Sequence, residues 1–224
     1  MIAETAISTC NCTLWDATDT TVRLCSEHHI YRSGAKRLVS VTKIIKTLWP
    51  VKPDFSRAPA AVLENARDRG IVVDSLFSAY VNGTLDRIPH GTRKDAVLLF
   101  NKLRRWYDGH VHDSPRAQVI LADDEIAGQC DILDGDRIYD LKSTYNVEDT
   151  YPLQLAAYGD LHFATFHRPV KKLAIIHVTE RYPEPKIIPI DVVSTMQDWM
   201  TLKEMWRLVV KMGADKKLEK ENAS

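Results

Sequence analysis

Gly128-Gln129-Cys130-Asp131-Ile132-Leu133-Asp134-Gly135-Asp136-Arg137-Ile138-Tyr139-Asp140-Leu141-Lys142 is the stretch whose reading decides the fold. It holds two short apolar-rich runs, Ile126 to Leu133 and Arg137 to Leu141, divided by Asp134-Gly135. An Asp-Gly pair between two such runs is a strong hairpin signal, because glycine takes the positive φ that a two-residue turn demands. Ala117 to Leu121, just upstream, is a third run of the same kind, so three successive strands are predicted.

On either side the period changes from two to that of a helix. Upstream, Val62, Ala66, Val73, Phe77 and Tyr80 keep helical spacing from Pro59 to about Val81, with the proline in the first turn and Gly83 past the end. Thr92 to Tyr107 gives a second helix. Val97, Leu98, Leu99 and Leu103 are expected inside it, and Arg93, Lys94, Lys102, Arg104 and Arg105 largely outside. Downstream, Tyr151 to Phe166 returns to helical spacing, and strands follow at Leu173 to Val178 and Lys186 to Ile190. A last helix, Ser194 to Met212, opens on a Ser194/Gln197 capping pattern and lines up Met196, Trp199, Leu202, Trp206 and Val209 before Gly213. The first 50 residues read as short strands and turns, including a hairpin of Thr21 to Cys25 with His29 to Tyr31. A short helix, Val41 to Leu48, then stops before Pro50. The predicted class is α/β: an α-β-β-β-α-β core with a mixed central sheet flanked by helices.

The chemistry concentrates in the opening stretch. Hydrolysis of a phosphodiester at neutral pH needs an activated water and something to absorb charge on the phosphoryl oxygens, and closely spaced carboxylates holding Mg²⁺ supply both. Asp131 and Asp140 lie on successive strands, and Lys142 shares a face with Asp140 because strand side chains repeat every two residues. Joining the two aspartates at one end of the sheet requires the strands to be bent or offset. Acidic-x-Lys also occurs at Glu184-Pro185-Lys186 and Asp215-Lys216-Lys217, but these lie in a loop beside prolines and in a charged tail. Only Asp140-Leu141-Lys142 follows a hairpin with another acid and precedes a helix. Asp134 and Asp136 read as turn residues.

Three motifs now fall into one order: Gly128-Gln-Cys-Asp131, then Tyr139-Asp140-Leu-Lys142-Ser-Thr144, then Gln154-Leu-Ala-Ala-Tyr158. The series resembles the GxxD, DxKT and QLxxY motifs of the RecB-like branch of PD-(D/E)XK nucleases, in a phage-type form. Ala66-Arg-Asp-Arg-Gly70 resembles that family's helix ahead of the sheet, and Ser40-Val-Thr42 a segment common in phage members. The likeness spans roughly residues 28 to 191. It implies a restriction-endonuclease-like core and one nuclease domain over 1–224. Within that domain, 1–57 would form N-terminal strands and a short helix, 58–191 the catalytic core, 192–213 a C-terminal helix and 214–224 a flexible tail. It implies Asp131, Asp140 and the Leu141 carbonyl as ligands of Mg²⁺ or Mn²⁺, with Lys142 orienting or deprotonating water, helped by a pKa depressed near other cations. Gln154 would hold the metal-site network and Tyr158, its i,i+4 neighbour, would touch DNA. Where many members place a metal-binding histidine, four residues after the glycine matched by Gly70, this sequence has Asp74, a hard oxygen donor suited to the same ions. Glu64, on the same helix, is the weaker alternative. An iron-sulfur cluster of the kind some relatives carry needs three cysteines after the core, and no cysteine follows Cys130.

The expected activity is a metal-dependent deoxyribonuclease, foremost an exonuclease of phage or bacterial DNA recombination or repair. A catalytically silent DNA-binding or assembly subunit and a site-specific endonuclease stand as alternatives. DNA is the expected partner, with a homo-oligomer or a recombination partner protein left open. With 30 basic and 30 acidic residues the formal charge is zero, so DNA binding rests on the site rather than on composition. Arg93, Lys94, Arg104 and Arg105 are candidate phosphate contacts, or merely a solvated face. No run of about 18 apolar residues and no basic-then-apolar N-terminus is present, so a cytoplasmic protein without membrane span or secretory signal is expected. Cys10-x-Cys12 with Cys25-x-x-His28 has the ligand types of a zinc site; the competing reading makes the cysteines small buried residues of a hairpin.

Overall fold

The computed structural model describes residues 14–16, 21–25, 28–48, 59–110 and 112–213. Cys10 and Cys12, the stop before Pro50 and the tail from Asp215 lie outside the described residues. Strands β1 (Leu14–Asp16), β2 (Val22–Cys25), β3 (Ile30–Ser33) and β4 (Lys36–Ser40) form an antiparallel meander leading into α1 (Val41–Leu48). Helices α2 (Ala60–Val81) and α3 (Lys94–Asp108) follow, then β5 (Pro115–Ala122), β6 (Ile126–Asp134) and β7 (Arg137–Lys142). Helix α4 (Thr150–Phe166), strands β8 (Lys172–His177) and β9 (Lys186–Ile190), and helix α5 (Val192–Lys211) complete the described chain. The expected mixed sheet between helices is what is found, with parallel β4/β6 and β7/β8 pairs among antiparallel ones.

The alternation along β8 explains why the sheet needs cover on both sides. Leu173 and Ile175 join the core built with α1, α4 and α5, while Ala174 and Ile176 join the core built with α2 and α3. A third cluster, with Leu24, Tyr31 and Leu38 against Ile120 and Ala127, fastens the meander to the central strands.

The topology around β6 positions the site. Its first residues pair with β4, Val39 opposite Ile126 and Ser40 opposite Ala127, and its last pair with β7, Ile132 opposite Tyr139 through Asp134 opposite Arg137. One edge of β6 is therefore shared by two strands, and between them β6 has β5 on its other side only. The ladder with β7 ends at Ile132 and Tyr139, where β7 continues alongside β8.

Several local expectations are corrected. The hairpin loop is Gly135-Asp136, one residue later than Asp134-Gly135; Gly135 takes φ +62° and Asp134 is a buried strand residue. Helix α2 buries residues only from Val73 onward, and Val62 and Ala66 are exposed. In α3, Leu98 faces solvent while Lys102 is buried, because its ammonium donates to the carbonyls of Thr179, Glu180 and Tyr182. Three acceptors satisfy the three donors of that ammonium. Helix α5 is capped by Asp191, whose carboxylate accepts from the Val193 amide, three residues before the expected Ser194 cap.

Candidate active site

The fork between β4 and β7 holds the predicted chemistry. Ile132 pairs with Tyr139, so the next position brings Asp131 and Asp140 face to face just where the two strands part. No offset is required: the register supplies the juxtaposition, and the splay gives the carboxylates room. The Asp131 carboxylate accepts a 2.7 Å hydrogen bond from the Leu141 amide, which β6 no longer satisfies through its main chain. Lys142, on the same face as Asp140, places its ammonium 2.6 Å from Asp140 Oδ2 and 3.4 Å from Gln154 Oε1. The ammonium also lies 4.6 Å from the centre of the Tyr151 ring.

From α4, the Gln154 amide donates to the Tyr158 hydroxyl at 2.8 Å, as i,i+4 neighbours can. Tyr158 is buried, and its ring lies flush against Gly128. A Cβ there would stand 2.6 Å from Tyr158 Cε1 and 3.2 Å from Val41 Cγ2, which explains the glycine. Tyr158 therefore serves as a packed wall and hydrogen-bond partner rather than an outward-facing ring. A cavity of about 190 Å³ opens here, lined by Asp131, Asp140, Lys142, Gln154, Tyr158 and Gln118 among others. A larger, mainly apolar groove of about 630 Å³ runs between α4 and α5, and none of these residues lines it.

The electrostatics show a crowded set of acids. Burial, together with Asp131 nearby, pushes the Asp140 carboxyl up to about 7 against the pull of Lys142. Burial also raises Asp131, although Lys142 and the Leu141 amide work the other way. For Lys142, burial lowers the pKa but is outweighed by Asp140 and Asp131, so the net shift is upward. This corrects the expected depression: the neighbours of the ammonium are anions.

Asp74, on α2, lies within electrostatic reach. Burial first, then Asp131 and Asp140, raise it to about 7. It does not line the cavity, however: Gln118 stands there, donating from Nε2 to both Asp74 carboxylate oxygens at 3.1 Å. Among the described residues no three His, Cys, Asp or Glu side chains are gathered around one point to hold an ion. Glu64 is exposed in the outer half of α2. Of the candidate phosphate contacts, Arg93 is paired with Asp95 and Asn65, Arg105 lies 3.7 Å from Glu184, and Lys94 and Arg104 are exposed. Cys25 Sγ lies 3.4 Å from His28 Nδ1, the described half of the zinc reading.

Gln118 is the residue sequence reasoning missed. Its only signal was an amide interrupting the apolar run Ala117 to Leu121.

The donor set fits a hard divalent cation. Asp131 and Asp140 present carboxylate oxygens side by side, and Asp140 Oδ2, though close to Lys142, is buried without a well-directed hydrogen bond. Neighbouring buried carboxylates are costly unless protonated or matched by positive charge, and oxygen donors suit Mg²⁺ or Mn²⁺.

No protein-family model matches the chain, and no curated protein matches it in sequence. Solved structures similar to it include a provisionally assigned exonuclease from Eubacterium rectale, at 17% identity over 79% of this chain and 82% of that one, TM-score 0.48. An alkaline exonuclease from Laribacter hongkongensis is similar at 11% identity over 79% and 93%, TM-score 0.36. A phage-related exonuclease from Haemophilus somnus is similar at 14% identity over 78% and 96%, TM-score 0.36. At these values the likenesses carry no functional argument, and the reading below rests on the site.

Proposed function

We propose that this chain is a metal-dependent DNA nuclease of the PD-(D/E)XK type, foremost an exonuclease of phage or bacterial recombination or repair, working with Mg²⁺ or Mn²⁺. The observation that carries the reading is the pair Asp131 and Asp140, opposed across two parting strands with Lys142 against Asp140. Asp131, Asp140 and the Leu141 carbonyl would hold the cation, which when bound supplies Lewis acidity toward the phosphate and a more acidic water. Lys142, kept protonated by its two anionic neighbours, brings a positive charge to the place where the phosphoryl oxygens gain negative charge. Gln154 fixes the direction of that ammonium from α4, and the Tyr158 hydroxyl fixes Gln154.

Linear and covalently closed duplex DNA, each incubated with the protein and Mg²⁺, Mn²⁺ or chelator, test this directly. Shortening of linear DNA alone, abolished by chelator, is expected. Cleavage of closed circles would instead assign an endonuclease. Cation-dependent binding with no cleavage of either substrate would overturn the catalytic reading.

A further inference from the structure

The chain of β5 turns over at Gln118. Its φ of +59° lies in the left-handed region that side-chain-bearing residues seldom occupy. Ala117 packs with Ile132 on the α2/α3 side, whereas Val119 packs with Cys130 on the α4/α5 side. Strict alternation would keep 117 and 119 on one face, and likewise 130 and 132. Both strands therefore change faces at one level, that of Gln118 and the opposite Asp131. The crossing lets Gln118 line a cavity built with α4 on one side of the sheet while its amide contacts α2 on the other.

The hydrogen bonds at this crossing are specific. Gln118 Nε2 donates to Asp74 Oδ1 and Oδ2 and to Ser78 Oγ at 3.2 Å, while the Gln118 main-chain carbonyl accepts from Gln129 Nε2 at 3.1 Å. With the amide nitrogen committed, the oxygen Oε1 is the free end, and among the described residues it has no hydrogen-bond donor. Gln118 lines the cavity with Asp131 and Asp140, and Asp74 does not. An amide oxygen is a competent ligand for hard cations, and a carboxylate behind a ligand commonly fixes its orientation.

We propose that Gln118 Oε1, not an Asp74 carboxylate oxygen, is the third side-chain oxygen offered to the cation, with Asp74 a positioning residue that locks the amide the right way round. This rests on the metal-site reading above. The left-handed backbone at 118 is what aims the amide, and it makes Gly the informative replacement because glycine adopts that conformation without strain.

Tb³⁺ is a probe independent of cleavage: O–H vibrations of bound water quench its emission, so lifetimes in H₂O and D₂O count its water ligands. Gln118→Gly is expected to add one water to bound Tb³⁺ and to weaken Mn²⁺ binding about tenfold by calorimetry, with the fold retained by circular dichroism. Asp74→Asn keeps an oxygen that can accept from Gln118 Nε2, so its water count should stay at the wild-type value. An unchanged count in Gln118→Gly, or an added water in Asp74→Asn, would overturn the assignment while leaving Asp131 and Asp140 as ligands. Tb³⁺ uptake unaffected by Asp131→Asn would overturn the metal site itself, and this assignment with it.

Discussion

The hairpin of β6 and β7 carries four aspartates, two at its closed end and two at its open end, and their environments are opposite. At the closed end Asp134 is fully buried but matched: it accepts from the Asp113 amide and from His112 Nδ1, with Arg137 at 3.8 Å. Asp136 pairs with Lys171, and that hydrogen bond holds its carboxyl below the usual range. At the open end Asp131 and Asp140 face each other with the Lys142 ammonium against Asp140 and the next carboxylate behind Gln118, and both are pushed upward. One hairpin thus holds the same residue type in two electrostatic states, lowered at Asp136 and raised at Asp131 and Asp140. The distinction lies in the neighbours: Asp136 has a cation and no acid beside it, whereas Asp131 and Asp140 are buried against each other with one ammonium.

The sharpest way to break the comparison is to neutralise the open end. Lys142→Ala and Asp140→Asn should fold and lose cleavage by at least about a thousandfold, roughly 4 kcal/mol of barrier. Rates within tenfold of wild type in a gel assay would remove these residues from the chemistry. Asp134→Ala should do the reverse, costing about 3 kcal/mol in urea unfolding because the Asp113 amide and His112 lose a buried acceptor. Cleavage per folded molecule should be retained. Asp136→Ala, whose partner Lys171 is largely exposed, should cost about 0.5 kcal/mol or less in the same measurement.

Acidity sharpens the comparison more gently. Asp140 and Asp74 have folded values near 7 against an ordinary 3.8, so between those values the folded chain holds protons the unfolded chain has released. The contribution of these two groups to metal-free stability therefore falls as pH rises from about 4 to 7, and levels off above. Mn²⁺ held by Asp140 must displace its one proton, so affinity should fall by up to about tenfold per unit as pH drops below 7. Calorimetry between pH 5.5 and 8 checks both signs, and Mn²⁺ affinity flat across that range would mean that neither acid is coupled to the ion.

Much of this architecture was legible because it depends on local period. Val41–Leu48 and Lys186–Ile190 were bounded correctly, and the core order followed from alternating runs and helical spacing. The opposition of Asp131 and Asp140 was half legible: the hairpin was evident, but moving its loop from Asp134-Gly135 to Gly135-Asp136 is what makes the two acids partners. The reading of Lys102 as outward-facing and of Asp134 as a turn residue fails because their acceptors and donors come from residues 179–182 and 112–113, distant in sequence. Gln118 was illegible as a site residue, since nothing local distinguishes a strand glutamine with negative φ from one at +59°, and the crossing exists only when β5 and β6 turn together.

The shared edge of β6 has a consequence in main-chain hydrogen bonding. Between Ala127 and Ile132 the strand has β5 on one side and, among the described residues, no strand on the other. Peptide groups turned toward that gap must find partners elsewhere, because buried amides and carbonyls do not go unanswered without cost. The Leu141 amide has found one in the Asp131 carboxylate, a side chain standing in for a missing rung of the ladder. The Tyr31 side chain likewise meets the main chain of Gln129 in this stretch, so side chains of the meander and the hairpin answer an edge that the topology leaves without a strand.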